Sequence, residues 1–193
     1  MALLKKSQLR NVYNNRQSYL LDEAGERRFA KKRLEESAKA FSFAENYDIF
    51  LSHSFDDARV VKIVKELLEE SGYSVYVDWI EDDHLDRGEV SPETAVVLRN
   101  RMNNCSSLIY LTSPSAEKSL WMPWELGYMD AKTGRVSVAP IVGDDEQFEG
   151  REYLGMYPYL DLTMDKFYVH RKSNEWVNLD GWMRGENPKA FKY

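Results

Sequence analysis

Tyr47-Asp48-Ile49-Phe50-Leu51-Ser52-His53-Ser54-Phe55-Asp56-Asp57 decides the fold. Its first five residues form an apolar run too short for a helix, and aromatic and β-branched side chains favour a buried strand there. The polar Ser52-His53-Ser54 that follows reads as a loop. Ser54 is placed to cap a helix, with Asp57 three residues on. Val60, Val61, Val64, Leu67 and Leu68 then recur at helical spacing, and Gly72 is a natural stop. The segment is a strand, a polar loop and an amphipathic helix.

Downstream the alternation repeats. Tyr73–Asp78 reads as a second strand and Trp79–Val90 as a charged loop. Ser91-Pro92-Glu93 then opens a helix to about Asn103, with a cap, an early proline and an acid near the positive end of the dipole. Ser107–Thr112 is the third strand and Ser113–Leu120 a loop. A helix follows over about Met122–Lys132, closed by Gly134, and Val136–Val142 is the fourth strand. A fifth strand is expected at Tyr157–Leu162, and the aromatic remainder reads as a hairpin or short helix packed on the body. Strands alternating with helices imply parallel βαβ units, here an open, doubly wound α/β sheet of about five parallel strands. Ligands of such sheets sit at the carboxyl ends of the strands. The loops that matter are therefore 52–57, 78–91 and 112–125.

Upstream, residues 1–44 hold ten Lys/Arg against five Asp/Glu, a balance of +5, while the whole chain of 193 residues carries -6. The body is therefore at -11, which does not suit non-specific nucleic-acid binding. The arm has no proline. Leu9, Val12, Tyr13, Leu20, Leu21, Phe29 and Leu34 form a narrow stripe of one or two helices. Such a stripe needs cover, from the main domain or another subunit. The basic arm reads first as a solvated helix, with contact to nucleic acid or an acidic partner surface as the alternative. The expected division is a helical extension over 1–44, an α/β domain over 45–165 and a packed C-terminal segment over 166–193. One cysteine, Cys105, excludes an internal disulfide, and no apolar run reaches membrane-spanning length. A cytoplasmic protein with no membrane contact is expected.

Several chemistries fail on the residues. No glycine-rich phosphate loop is present. His53, His84 and His170 are far apart with no Cys/His cluster, so no metal site is expected. A phospho-accepting receiver domain would need acids at the ends of the first and third strands, where Ser52-His53-Ser54 and Thr112-Ser113 stand. What remains is Leu120-Trp121-Met122-Pro123-Trp124-Glu125-Leu126-Gly127. If the helix starts near Met122, Glu125 falls in its first turn, where free backbone N–H groups favour the ionised carboxylate. Trp121, four residues earlier, lies roughly on the same side. A flat ring beside a carboxylate suits a nucleoside. Nicotinamide leaves NAD as a neutral molecule and needs no general acid. One fixed anion that stabilises the cationic ribose is chemically sufficient. On spacing alone, packing remains the simpler reading of both residues.

Together these pieces resemble the TIR domain family in its bacterial form. Tyr47–Asp56 is similar to its opening strand and loop. Asp78-Trp79, the polar loop and Ser91 are similar to its second strand and BB loop. Leu111-Thr-Ser-Pro with Ser119–Leu126 is similar to the segment holding its catalytic glutamate. The resemblance covers about residues 46–142. It implies a flavodoxin-like fold and cleavage of NAD, as substrate rather than resident cofactor, to nicotinamide and ADP-ribose or a cyclic or conjugated product. It implies Glu125 as the catalytic residue and Trp121 against the substrate. Ser52, His53 and Ser54 would line the site from the first loop, Asp78 and Trp79 from the second, and Ser91 from the start of its helix. His53 reads equally as a loop histidine bonded to backbone. No proline stands between Trp79 and Val90, where receptor-type members often carry one.

A compact chain of this kind also resembles the signal-producing subunits of Thoeris-type anti-phage systems. That likeness implies a phage-derived trigger, a separate effector that reads the product, and a homo-oligomer joined through residues 79–90. Two alternatives stay open. Glu125–Gly134 followed by a strand also resembles nucleoside deoxyribosyltransferases, and a TIR adaptor would act by assembly without catalysis.

Overall fold

A computed structural model describes residues 4–20, 46–81, 91–113, 116–143 and 152–190. Strands β2 (Tyr47–Ser52), β3 (Val75–Tyr76), β4 (Cys105–Thr112), β5 (Val136–Val142) and β6 (Tyr159–Thr163) form a parallel sheet in the order β3-β2-β4-β5-β6. The chain runs outward from β2 to β3, then crosses to β4 on the other side. The order therefore reverses between β2 and β4, and the crevice beyond their carboxyl ends is the expected ligand position. The expected doubly wound, five-stranded parallel sheet is present.

The side-chain period of two divides the sheet residues between two cores. Ile49, Leu51, Ile109, Leu111, Ala139 and Ile141 face helix α2 (Ala58–Glu70), whose Val60, Val61, Ile63, Val64, Leu67 and Leu68 are buried. Phe50, Leu108, Tyr110, Val136 and Val138 face the other way. They pack with Leu98 and Met102 of helix α4 (Pro92–Asn103) and Trp121, Met122, Leu126 and Met129 of helix α5 (Trp121–Thr133). Each buried aliphatic side chain contributes roughly 1.5–3 kcal/mol. Gly134 ends α5 at φ 58, donating its N–H to the Asp130 carbonyl at 2.9 Å, a left-handed stop open to glycine at no steric cost.

Several boundaries differ from the sequence reading. The second strand shrinks to Val75–Tyr76, because Ser74 donates its N–H and its hydroxyl to the Asp48 carboxylate and Asp78 already opens a short helix, α3 (Asp78–Glu81). The charged loop expected from Trp79 thus starts as a helical turn, and its remainder, 82–90, lies outside the described residues. Ser54 does not cap α2 with its side chain. Its carbonyl accepts the Asp57 N–H at 3.0 Å, making a 3-10 turn at Phe55–Asp57 before the helix proper. Ser91 does cap α4, accepting the Thr94 N–H at 3.1 Å.

The sheet also extends at both chain ends. A two-residue strand, β1 (Leu4–Lys5), runs parallel to β5 with Leu4 opposite Ile141. Helix α1 (Lys6–Leu20) follows and packs on α2. Leu4 and Leu9 are buried, Val12 and Tyr13 pack against the same core, and Gln8 Nε2 donates to the Leu162 carbonyl at 2.6 Å. The stripe on this part of the arm is thus covered by the body of its own chain. The second expected helix, over 21–44, lies outside the described residues. Past β6, strands β7 (Lys166–Lys172), β8 (Glu175–Asn178) and β9 (Lys189–Ala190) add on antiparallel, with helix α6 (Leu179–Met183) between the last two. The aromatic tail holds both a hairpin and a short helix. Arg135 fastens it to β5. Its guanidinium stacks on Trp182 at 4.7 Å and donates to the carbonyls of Gly185 and Glu186. No helix among the described residues is long and apolar enough to cross a membrane.

Candidate active site

Two residues 73 positions apart meet at the carboxyl end of β2. Ser52, the last residue of that strand, shares a sheet face with Phe50 and so points toward α5. Its Oγ donates to Glu125 Oε2 at 2.6 Å, and both residues are 0% exposed. A sealed carboxylate is costly unless hydrogen-bonded, and a hydroxyl donor offsets part of that cost. The helix starts at Trp121, a residue earlier than expected, and Ser119 Oγ takes the Met122 N–H at 3.3 Å. Glu125 is therefore one residue past the first turn, and a donor on its carboxylate comes from across the crevice.

Trp121 stands one helical turn before Glu125 and is 5% exposed, with its ring inside the aromatic core. It meets Trp124 edge-on, centroids 5.6 Å apart. Its Nε1 is a buried donor with no hydrogen-bond partner among the described residues. Trp124 in turn lies 5.9 Å from the Tyr128 ring and under the Arg99 guanidinium.

His53 and Asp78 form a second buried pair. His53 Nδ1 lies 2.7 Å from the Leu51 carbonyl oxygen, and Nε2 lies 3.4 Å from Asp78 Oδ1. The expected backbone-bonded histidine is present, and it also reaches the second loop. Asp78 and Trp79 begin α3. Ser54 is half-buried beside the turn. Ser91 is committed to its helix, also donating to Thr94 Oγ1 at 3.0 Å, and no hydrogen bond joins it to Ser52, His53 or Glu125 among the described residues.

The sequence reading missed one link. Asp57 and Ser113 were read as a capping residue and a loop start. In the structure the Ser113 hydroxyl donates to the Asp57 carboxylate and accepts the Ala116 N–H at 3.2 Å. This joins the loops after β2 and β4 across the crevice. Their position at two neighbouring strand ends was the available signal. Burial pushes the Cys105 thiol up to about 12, so it is no nucleophile near neutral pH. No group of three or more His, Cys, Asp or Glu among the described residues could hold a metal ion.

The parallel order, the reversal between β2 and β4 and the carboxylate at that point define the class: the chain belongs to the TIR domain family, whose family model matches residues 49–175. Within the family it is similar to the probable 3' cyclic ADP-D-ribose synthase ThsB' of Bacillus cereus (strain MSX-D12). The two are 44% identical over 167 residues, covering 82% of this chain and 86% of that protein. A candidate cyclic ADP-D-ribose synthase, TIR2 of Cytobacillus dafuensis, is 35% identical over 83 residues, 42% of this chain and 22% of that protein. Among solved structures, the TIR domain of the Toll-related receptor TRR-2 from Hydra magnipapillata aligns with a TM-score of 0.46 at 21% identity, over 60% of this chain and 84% of that one. The family assignment favours the TIR reading of Glu125–Gly134 over the deoxyribosyltransferase one.

Proposed function

We propose that this chain is an NAD-cleaving TIR enzyme that releases nicotinamide and closes the remaining ADP-ribose into a cyclic signal. The observation that carries the reading is the Ser52–Glu125 bond, a sealed carboxylate at the strand-order reversal of a TIR domain. The relative of matching length is named a cyclic ADP-D-ribose synthase.

In the reaction the bond from the ribose anomeric carbon to the pyridinium nitrogen breaks, and its electron pair leaves with neutral nicotinamide. Glu125, held by Ser52, stabilises the cationic ribose that remains. A hydroxyl of the same molecule then bonds to the anomeric carbon and gives up its proton, for which Glu125 is the base. Capture by water would give linear ADP-ribose instead. Trp121 lies against the substrate in this reading. Ser52, His53, Ser54, Asp78, Trp79 and Ser91 line the site.

NAD reaches Glu125 only when its neighbours move, so basal turnover is low and an activating event raises it. Resemblance to Thoeris-type proteins makes that event a phage-derived trigger and the product a message for a separate effector, in the cytoplasm. Residues 79–90 join neighbouring subunits of a homo-oligomer. Sedimentation of the active protein as a strict monomer would overturn that last point. The central test is chromatographic separation of products from NAD, with wild type and Glu125→Gln at high concentration and in lysate from phage-infected cells. Nicotinamide and a cyclic product from wild type alone are expected. Equal NAD cleavage by the variant would remove Glu125 from the catalytic role, and biological protection that survives the substitution would return the protein to the adaptor reading.

A further inference from the structure

Asp57 stands at the head of α2, where an aspartate ordinarily caps the first backbone N–H groups with its side chain. This one makes no such cap bond. Its carboxylate accepts a hydrogen bond from Ser113, the residue after β4. A hydroxyl has one proton to give and two lone pairs. With the proton committed to Asp57, a lone pair of Ser113 Oγ turns to the Ala116 N–H, which it accepts at 3.2 Å. The same N–H lies 3.1 Å from the Ser113 carbonyl. The Ala116 carbonyl accepts the Ser119 N–H at 3.1 Å, and Ser119 Oγ accepts the Met122 N–H at 3.3 Å. These steps lead from the head of α2 to the first turn of α5. They also cross the sheet. Leu111 faces α2 and Tyr110 faces α5, so alternation puts Ser113 on the α2 side, where Asp57 is. Ala116, 2% exposed, belongs to the core of the other side, with Trp121 and Met122. The far end of α5 is held separately. Lys132 Nζ donates to the carbonyls of Met102, Asn103 and Cys105 at 2.8, 2.8 and 2.9 Å. Apolar contacts between the two ends have no preferred direction, so the hydrogen bonds at the head set where the helix starts.

We infer that Asp57 is a positioning residue for Glu125: through Ser113 and the 116–119 turn it fixes where α5 begins. Glu125 follows Met122 by less than one helical turn, so a shift at the head passes to it almost whole. The Ser52–Glu125 bond at 2.6 Å has little slack. Two oxygens moved apart by a further ~1 Å no longer bond. A displacement of about that size in a reacting group costs up to about a hundredfold in rate. α2, seated on the aliphatic core, thereby sets the position of a carboxylate in the aromatic one.

The rate effect rests on the NAD-cleaving reading, whereas the link between the two helices does not. Amide hydrogen exchange of the full-length protein, followed residue by residue by NMR, tests the link in Asp57→Ala. Exchange of the Ala116, Ser119 and Met122 N–H groups should quicken, while the amides of β5 keep wild-type protection. Unchanged exchange at these three positions would overturn the inference. So would an equal rise across the sheet, which marks a general loss of stability. In NAD turnover, Asp57→Ala and Ser113→Ala should each lower kcat about ten- to a hundredfold with KM little changed. The double variant should be no slower than either single one, because both substitutions break the same link. Asp57→Asn, whose amide oxygen can still accept the Ser113 proton, and Ser113→Thr, which keeps a hydroxyl, should recover most of the rate. Losses that multiply in the double variant, or a change confined to KM, would reject the positioning role. If wild type does not turn over NAD at all, the proposed function fails, and the exchange rates still decide the link.

Discussion

The two faces of the sheet are built from different materials. On the α2 side the core is almost wholly Leu, Val and Ile, closed further by Leu4 and Leu9 of the arm. On the α4–α5 side Leu and Val share the core with Phe50, Tyr76, Tyr110, Trp121 and three methionines, and here the Glu125 carboxylate is buried. Branched aliphatics fill space rigidly, whereas flat rings and unbranched methionines pack in more than one way. One face secures the fold, and the other tolerates a costly buried group. If the proposed site is right, stability and chemistry are separated by the parity of a strand: Leu51 points to the first face and Ser52 to the second.

The strongest test of this contrast is Glu125→Gln. Nicotinamide release should fall by about 10³-fold or more. The melting temperature should hold or rise, since a buried charge is removed and the Ser52 donor keeps an acceptor. A clear drop in melting temperature would make Glu125 a structural residue and dissolve the contrast. Leu68→Ala on the other face should do the opposite, costing about 2–5 kcal/mol in denaturant unfolding. Turnover per folded molecule should stay unchanged, and a selective loss of kcat would mean that the aliphatic face shares in the chemistry. Ser52→Ala stands at the boundary. Losing a hydrogen bond to a charged group should lower kcat about ten- to a hundredfold with little effect on KM. A change confined to KM would assign Ser52 to binding alone. The smallest effect lies away from both faces. Met164 and Asp165 form the β6–β7 turn at φ 49 and 59, a conformation that suits Asn-Gly. Replacing the pair with Asn-Gly should raise the melting temperature by about 2–4 °C, the equivalent of about 1 kcal/mol. No gain would mean that this turn is unstrained.

Legibility in the sequence followed burial. The Val136–Val142 strand appears with the expected bounds because all its residues but Ser137 are apolar and it stands between Arg135 and Gly143-Asp144. Helix α4 appears because Ser91-Pro92 marks its start chemically. The α3 turn stayed hidden because Asp78–Glu81 is short and partly charged, with no period to read. β1 stayed hidden because two residues carry no pattern at all, and its pairing is with residues far along the chain. In the site, the residue types were legible and their bonds were not. Ser52 and Glu125 were each singled out, but their contact depends on where α5 begins and how it crosses the sheet. The Asp57–Ser113 link was missed because each residue had a satisfactory local explanation.

The short β1 has a consequence for how the protein comes into being. Leu4 has no strand partner until Ile141 exists. At translation rates of about 5–20 residues per second, that interval is on the order of ten seconds. During it, Leu4 and Leu9 are exposed on a nascent chain whose sheet has not closed. β1 is therefore seated long after it is made, and arrival of β5 from the ribosome sets the moment at which the arm can lock.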